Sequence, residues 1–243
     1  MGSIFYASDD HRARKVDDLF AAIARRYDLI NDLQSFGLHR LWKRRVVELS
    51  GARPGGCALD LCCGTGDLAL ALARCGAEVT GLDFSTAMLA VAETRRRKKS
   101  PPSGTPHPQF IRGDALQVPF PDNVFDIVTI GYGLRNLSSW ETGLKEMHRV
   151  AKPGGRLIVL DFGKPANAVW RTVYFAHLKC SVPLLGWLFC GNAQAYAYIL
   201  ESLKHYPGQQ VVAGRMQELG LKNVRVIDLL GGAMAINYGE KPA

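Results

Sequence analysis

The segment that most restricts this chain is Leu59-Asp60-Leu61-Cys62-Cys63-Gly64-Thr65-Gly66-Asp67-Leu68. A short apolar run ends, a glycine-rich turn follows, and a helical pattern begins at Leu68. Gly64 and Gly66 carry no side chains, so a ligand can come close to the backbone there. The helix that follows offers unpaired N–H groups to a carboxylate or phosphate. Thr65 adds a hydroxyl, and Asp60 is placed to hold a cationic amine. The turn also satisfies the dinucleotide fingerprint through Gly64-x-Gly66-x-x-Ala69. It therefore predicts a nucleoside-type site on an α/β fold but leaves the ligand open.

The surrounding rhythm is alternating. Strands are predicted at Cys57 to Leu61, Glu78 to Leu82, Gln109 to Ile111, Phe125 to Ile130 and Arg156 to Leu160. Between them lie helical stretches at Leu68 to Ala73, Thr86 to Lys98 and Gly143 to Val150. Strands separated by helices imply parallel βαβ units with right-handed crossovers. A helix is predicted at Gln209 to Leu219, then strands Val224 to Leu229 and Ala233 to Tyr238, joined around Gly231-Gly232 as a hairpin. Two amphipathic helices, Val16 to Ile30 and Leu38 to Leu49, precede the first strand as a helical cap. The expected fold is α/β and Rossmann-like, a mostly parallel seven-stranded sheet with a C-terminal antiparallel hairpin. At 243 residues one domain is expected. It divides into a cap at 11–50, a nucleoside-binding core at 55–165, a helical insertion at 166–207 and a closing helix and hairpin at 208–243.

Two features favour a methyl donor over a dinucleotide. Asp60 lies where a pyrophosphate would be repelled. The downstream order also fits: Asp83 ends the second strand, where an acid binds ribose hydroxyls, and Gly113-Asp114-Ala115 follows the third, placed to bracket an adenine. Asp83 could instead be only a helix N-cap. The segment Lys152-Pro153-Gly154-Gly155 reads as a turn into the fifth strand.

Composition narrows the remaining choices. None of the six cysteines forms a Cys-x-x-Cys pair, and no neighbouring His completes zinc spacing, so reduced thiols and no metal are expected. Met1 to Asp10 lacks a basic stretch followed by an apolar one, so no signal peptide and a cytoplasmic setting are expected. The net charge of +8 favours an anionic partner. RNA is one such partner, but no appended RNA-binding module or aromatic-basic platform is visible, so no nucleic acid is expected. The basic run Arg95 to Lys99 ends a helix and reads as a solvated face.

Three further blocks carry a resemblance. They are Tyr27-Asp28-x-x-Asn31-Asp32-x-x-Ser35-Phe36-Gly37-x-His39-Arg40-x-Trp42-Lys43, then Gly131-Tyr132-Gly133-Leu134-Arg135-Asn136, then Tyr196 to Pro207 with Ser202 and Tyr206-Pro207. With these the chain, from Val16 to Tyr238, resembles the ubiquinone/menaquinone biosynthesis C-methyltransferases. The resemblance implies a class I methyltransferase fold, S-adenosylmethionine as methyl donor and a prenylated quinol as substrate. It implies donor contacts at Thr65, Asp83, Asp114 and Ala115, with Gly131 near the methionine end; Asp60, Gly64 and Gly66 join them from the glycine motif. It makes Arg135 and Asn136 the catalytic candidates, as stabiliser of a phenolate and positioner of a hydroxyl or water; they could instead cap the loop after the fourth strand. Tyr27 and His39 are further candidates, His39 having packing beside Trp42 as its alternative. The Leu-Cys-Cys-Gly and Gly-Tyr-Gly-Leu-Arg-Asn forms look more like naphthoquinone-branch members, of menaquinone or phylloquinone pathways, which points to demethylmenaquinol, with demethylphylloquinol or a 2-polyprenyl-6-methoxybenzoquinol of the ubiquinone pathway as the alternatives. Val173 to Phe189 would cover the prenyl tail as an apolar lid and favour peripheral docking on an anionic membrane; core or a homodimer interface is its other reading. A non-catalytic scaffold would be set apart by failing to bind the donor.

Overall fold

The computed structural model describes residues 18, 20, 21, 24, 26–98, 105–190, 202, 203 and 205–243, with side chains left aside in 181–190. Two helices come first, α1 (Tyr27–Ser35) and α2 (Leu38–Ser50). Then follow β1 (Cys57–Leu61), α3 (Asp67–Arg74), β2 (Glu78–Asp83), α4 (Thr86–Lys98), β3 (Gln109–Arg112), β4 (Phe125–Gly131), α5 (Trp140–Val150), β5 (Ala151–Phe162), α6 (Ala168–Cys190), α7 (Gln209–Glu218), β6 (Lys222–Leu229) and β7 (Met234–Glu240). The seven strands form one sheet in the order β3-β2-β1-β4-β5-β7-β6. The first five pair in parallel, while β7 runs antiparallel to both β5 and β6. The expected α/β class, strand number and C-terminal hairpin are therefore present.

The two-residue period of the strands sorts side chains between two cores. Leu59, Leu61, Val128, Ile130, Leu157 and Val159 join a cluster with Leu144 and Met147 of α5 and Val212 and Met216 of α7. Their neighbours Ala58, Ile127, Ile158 and Leu160 face the opposite side, against α3 and Val46 of α2. Asp60 and Thr129 fall on this second face, beneath the start of α3. The periodicity thus sends Asp60 to the helix that follows the glycine turn.

Two local readings are corrected. Helix α5 starts at Trp140 rather than Gly143, because Ser139 caps it by accepting from the Thr142 N–H. Lys152 to Gly155 is no simple turn: β5 begins at Ala151, and its register against β4 slips between Phe125–Ala151 and Ile127–Arg156, a bulge with Gly154 at φ +78°. The expected cap helix α2 packs onto the sheet face, with Val46 fully buried beside Leu68, Ile158 and Leu160. Of the predicted helix Val16 to Ile30, residues 16, 17, 19, 22, 23 and 25 lie outside the described residues, as do 196–201 and 204 of the third block. The end of that predicted helix falls in α1, which starts at Tyr27 and runs on to Ser35.

Candidate active site

The carboxyl ends of β1, β2 and β4 line up because their strands are adjacent and parallel, at a spacing of about 4.8 Å. β1 ends in Leu61 and the chain turns through Cys62, Gly64 and Gly66, all at positive φ. A pocket opens here, bounded by Asp60, Cys62 to Thr65, Asp67, Leu68, Gly131 and Tyr132, with Tyr27 and Lys43 contributed by α1 and α2. Four predicted residues, Asp60, Gly64, Thr65 and Gly131, meet in this pocket. At Gly131 a Cβ would sit 2.8 Å from Leu68 Cδ1, so the absence of a side chain keeps the wall in place. Gly66 faces inward instead: a Cβ there would stand 2.7 Å from the Phe110 ring.

Asp60 is almost wholly buried. It accepts hydrogen bonds from Thr129 Oγ1 at 2.8 Å and the Ala69 N–H at 3.1 Å. Burial nevertheless pushes its carboxyl up to about 7, against the downward pull of those bonds and of Lys43. An approaching ammonium would restore the charged form.

Asp83 holds the turn: its carboxylate accepts from the Gly64 N–H at 2.7 Å and the Ser85 N–H at 2.9 Å. Next along the edge, the Gly113 N–H donates to Asp83 O at 3.0 Å, which sets Asp114 and Ala115 beside the end of β2. Asp114 is exposed and accepts from the Leu116 N–H, whereas Ala115 is buried. These three lie along the strand edge and outside the pocket lining.

Thr65 takes part in a network that the sequence concealed. Its hydroxyl donates to Asp28 Oδ1 at 2.8 Å. Arg95 Nη1 donates to Asp28 Oδ2 at 2.7 Å, to Thr65 O at 3.1 Å and to Thr65 Oγ1 at 2.9 Å, and its Nη2 binds Asp67. Lys43 Nζ reaches the other Asp67 oxygen at 2.6 Å. The two cations hold the Asp67 carboxyl well below the usual carboxylate range. The basic run is therefore not wholly a solvated face: Arg95 turns back to the glycine turn, while Arg96 pairs with Glu93 at 2.8 Å. Asp28 and Lys43 stood in the first motif block and Asp67 in the glycine motif; nothing in the sequence marked Arg95.

Arg135 and Asn136 occupy a 3-10 turn after β4, outside the pocket lining. Arg135 is 8% exposed, with Nε 3.2 Å from Asp161 Oδ1. Its Nη1 donates to Ser202 Oγ at 2.7 Å and Asn136 Oδ1 at 3.0 Å, and its guanidinium lies 4.8 Å over the Phe162 ring. Asn136 Nδ2 donates to Tyr132 O at 3.0 Å. Arg135 also pulls down the phenol groups of Tyr27, Tyr132, Tyr174 and Tyr206, each raised on balance by burial. Beside it, Ile30, Tyr174, Leu178 and Ala233 pack with Tyr27 and Phe162. Asp161 and Ser202 are the partners that sequence reading missed; Ser202 was in a quoted block, and Asp161 falls just past the predicted strand Arg156 to Leu160, where no motif includes it.

His39 is buried, 2.8 Å from Ser35 Oγ, 3.7 Å from Asp32 Oδ1 and away from the pocket lining. Cys62 and Cys63 are free thiols whose ionisation burial opposes strongly.

The residues fit a nucleoside donor that ends in an amino acid. A buried acid faces the pocket, the glycine turn leaves its backbone approachable, and the Tyr132 hydroxyl is buried without a hydrogen-bond partner.

Known structures set the class. The fold matches a SAM-dependent methyltransferase from Aquifex aeolicus at a TM-score of 0.59 and 19% identity, over 88% of this chain and 97% of that one. It matches magnesium protoporphyrin IX methyltransferase from Synechocystis with bound SAM at a TM-score of 0.57 and 18% identity, over 84% and 79%. This is the class I methyltransferase fold. Sequence takes the assignment further. The model of the ubiE/COQ5 methyltransferase family matches residues 8–241, and the chain belongs to that family. It is 42% identical to the ubiquinone/menaquinone biosynthesis C-methyltransferase UbiE of Azotobacter vinelandii, over 96% of this chain and 92% of the relative. It is 41% identical to the demethylmenaquinone methyltransferase of Desulfitobacterium hafniense, over 97% and 93%.

Proposed function

We propose that the chain moves a methyl group from S-adenosylmethionine to a ring carbon of a prenylated quinol, with demethylmenaquinol as substrate and menaquinol as product. The observation that carries the reading is the pocket where Asp60, the Gly64 turn and Gly131 meet residues of α1 and α2, in a chain of this family. In it Asp60 would take the donor's ammonium, with Gly64, Thr65, Gly66 and Gly131 shaping the cradle. Asp83 would exchange its turn hydrogen bonds for ribose hydroxyls, and Asp114 and Ala115 would bracket the base.

When bound, the donor supplies an electrophilic methyl. The protein must make the ring carbon nucleophilic, which happens when an adjacent hydroxyl gives up its proton. A phenol loses that proton near pH 10 in water. Arg135 stays protonated and cannot be the base. Its pull on four tyrosine phenols supports a role in stabilising a substrate phenolate nearby. Asn136, held by Tyr132 O and Arg135, would orient the hydroxyl or the water that carries the proton away. The apolar packing of α1 against α6 would cover the head group and the start of the tail. In this reading the four segments at 11–50, 55–165, 166–207 and 208–243 work as one domain, docked on an anionic membrane from the cytoplasmic side.

The naphthoquinol preference rests on the Leu-Cys-Cys-Gly and Gly-Tyr-Gly-Leu-Arg-Asn forms. A benzoquinol of the ubiquinone branch is the second reading, favoured by the relative named for both pathways. The test supplies labelled methyl donor with chemically reduced naphthoquinols and benzoquinols and identifies the product by mass. Label in the naphthoquinol ring is expected. Label only in the benzoquinol moves the enzyme to the other branch, and label in neither sinks the reading.

A further inference from the structure

Lys43 plays no part in the methyl transfer proposed so far, yet it stands at the pocket. Its side chain is 13% exposed, it belongs to the lining, and its Nζ lies 5.8 Å over the Tyr132 ring. Of the three ammonium donors, one reaches Asp67. Asp67 has a second cation in Arg95, so its charge does not depend on Lys43 alone. Asp67 also opens α3, where the helix dipole favours negative charge. The same lining holds Asp60 and Tyr132, whose buried hydroxyl lacks a partner. One pocket thus offers a buried carboxyl that an ammonium would ionise, a largely buried cation and an unspent hydroxyl. A ligand that neutralises all three carries both charges on neighbouring atoms, as the zwitterion of a free amino acid does.

We propose that Lys43 anchors the carboxylate of the methyl donor's amino-acid end, with the Tyr132 hydroxyl as a second donor, opposite the ammonium held by Asp60. The inference rests on S-adenosylmethionine being the donor. It also gives α2 a role in binding, because the helix that covers the sheet face carries one half of the zwitterion's recognition and β1 the other. On arrival the carboxylate shares Lys43 with Asp67, which Arg95 continues to hold.

Calorimetric titration with two ligands tests it: S-adenosylhomocysteine, and its analogue lacking only the carboxylate. Lys43→Met should weaken S-adenosylhomocysteine by about ten- to hundredfold, as for a lost charge-assisted hydrogen bond. The same change should leave the decarboxylated analogue within about threefold of wild type, and Lys43→Arg should restore much of the loss. Tyr132→Phe removes a hydroxyl with no partner in the protein, so it should keep the melting temperature while weakening S-adenosylhomocysteine selectively. That variant decides the matter if Lys43→Met melts too low to titrate. Equal losses for both ligands, or no loss for either, would overturn the role of Lys43. If wild type binds neither ligand, the donor assignment itself fails, which is a different result.

Discussion

At the scale of single residues, Asp60 sets an expected pH dependence. Its folded carboxyl titrates near 7 rather than at 3.8 because burial disfavours the charged form. A donor ammonium favours the carboxylate, so binding below pH 7 must expel a proton. The dissociation constant for S-adenosylhomocysteine should therefore rise as pH falls through 7, by up to about tenfold per pH unit, and level off above it. Asp60→Asn should weaken binding and flatten this profile between pH 5.5 and 7.5; a profile unchanged by the substitution would assign the dependence to another group. Arg135 and Asp161 make the second residue-scale case. Asp161 is 2% exposed, and burial raises its carboxyl while Arg135 and two backbone N–H groups hold it down. Removing one charge strands the other in the interior. Asp161→Ala should thus cost about 3–5 kcal/mol in denaturant unfolding, a cost that a surface ion pair would not show. Arg135→Ala must be read at a temperature where the variant stays folded, with turnover and donor affinity measured separately. Unchanged turnover would take Arg135 out of the mechanism.

At the scale of elements, the parts that could be read from sequence are those whose signal is local. Cys57 to Leu61 and Thr86 to Lys98 have the bounds that apolar pattern and flanking turns predict. The start of α5 was missed because Ser139 caps through its side chain while Trp140 to Thr142 lack an apolar stripe. The bulge in β5 was missed because a Pro-Gly-Gly string signals a turn, and only pairing with β4 shows the strand continuing through it. The site divides the same way. Asp60, Gly64, Thr65 and Gly131 meet because each ends or follows a strand, which the sequence displays. Arg95 reaches Thr65 across thirty positions from the outer turn of a helix, and in sequence it is one basic residue among five. This contact gives α1 its expected behaviour. Arg95 ties Asp28 of α1 to the glycine turn, alongside the Thr65 hydroxyl and the packing of Ile30 against α6, so loss of Arg95 should loosen α1 over the pocket. Arg95→Met should destabilise the chain by about 1–3 kcal/mol, as for a part-buried charged network, and speed amide hydrogen exchange in α1 far more than in β1 or β4. Equal acceleration throughout would mean that Arg95 supports the fold and not the cap.

At the scale of the whole molecule, the proposed prenylated substrate raises the question of how a protein with an ordinary core would reach it. Among the described residues no helix is long and apolar enough to cross a membrane. The apolar residues left outside fall largely on neighbouring elements: Leu29, Leu33 and Phe36 at α1 and its C-cap, Leu41 on α2, Val169 and Val173 on α6. Phe36 is 84% exposed, held at the left-handed bend between α1 and α2. Arg40, Arg44 and Arg45 of α2 also have exposed side chains, Arg40 paired with Asp32 and the other two sharing Glu48, in a chain of net charge +8. Exposed apolar side chains together with arginines suit the interface of an anionic bilayer, where each cation near the surface contributes about 1 kcal/mol and salt weakens the attraction. Residues of α1 and α6 also pack together beside Arg135, so under the proposed function the tail and the docking surface would share these two helices. The protein should therefore co-sediment with vesicles containing anionic lipid at low salt and release as salt rises. Phe36→Ser combined with Leu33→Ser should reduce vesicle binding and turnover of a long-tailed quinol while sparing a short-tailed one. Equal turnover of both quinols by that variant, or no sedimentation of wild type at low salt, would separate the catalytic site from any docking role of this surface.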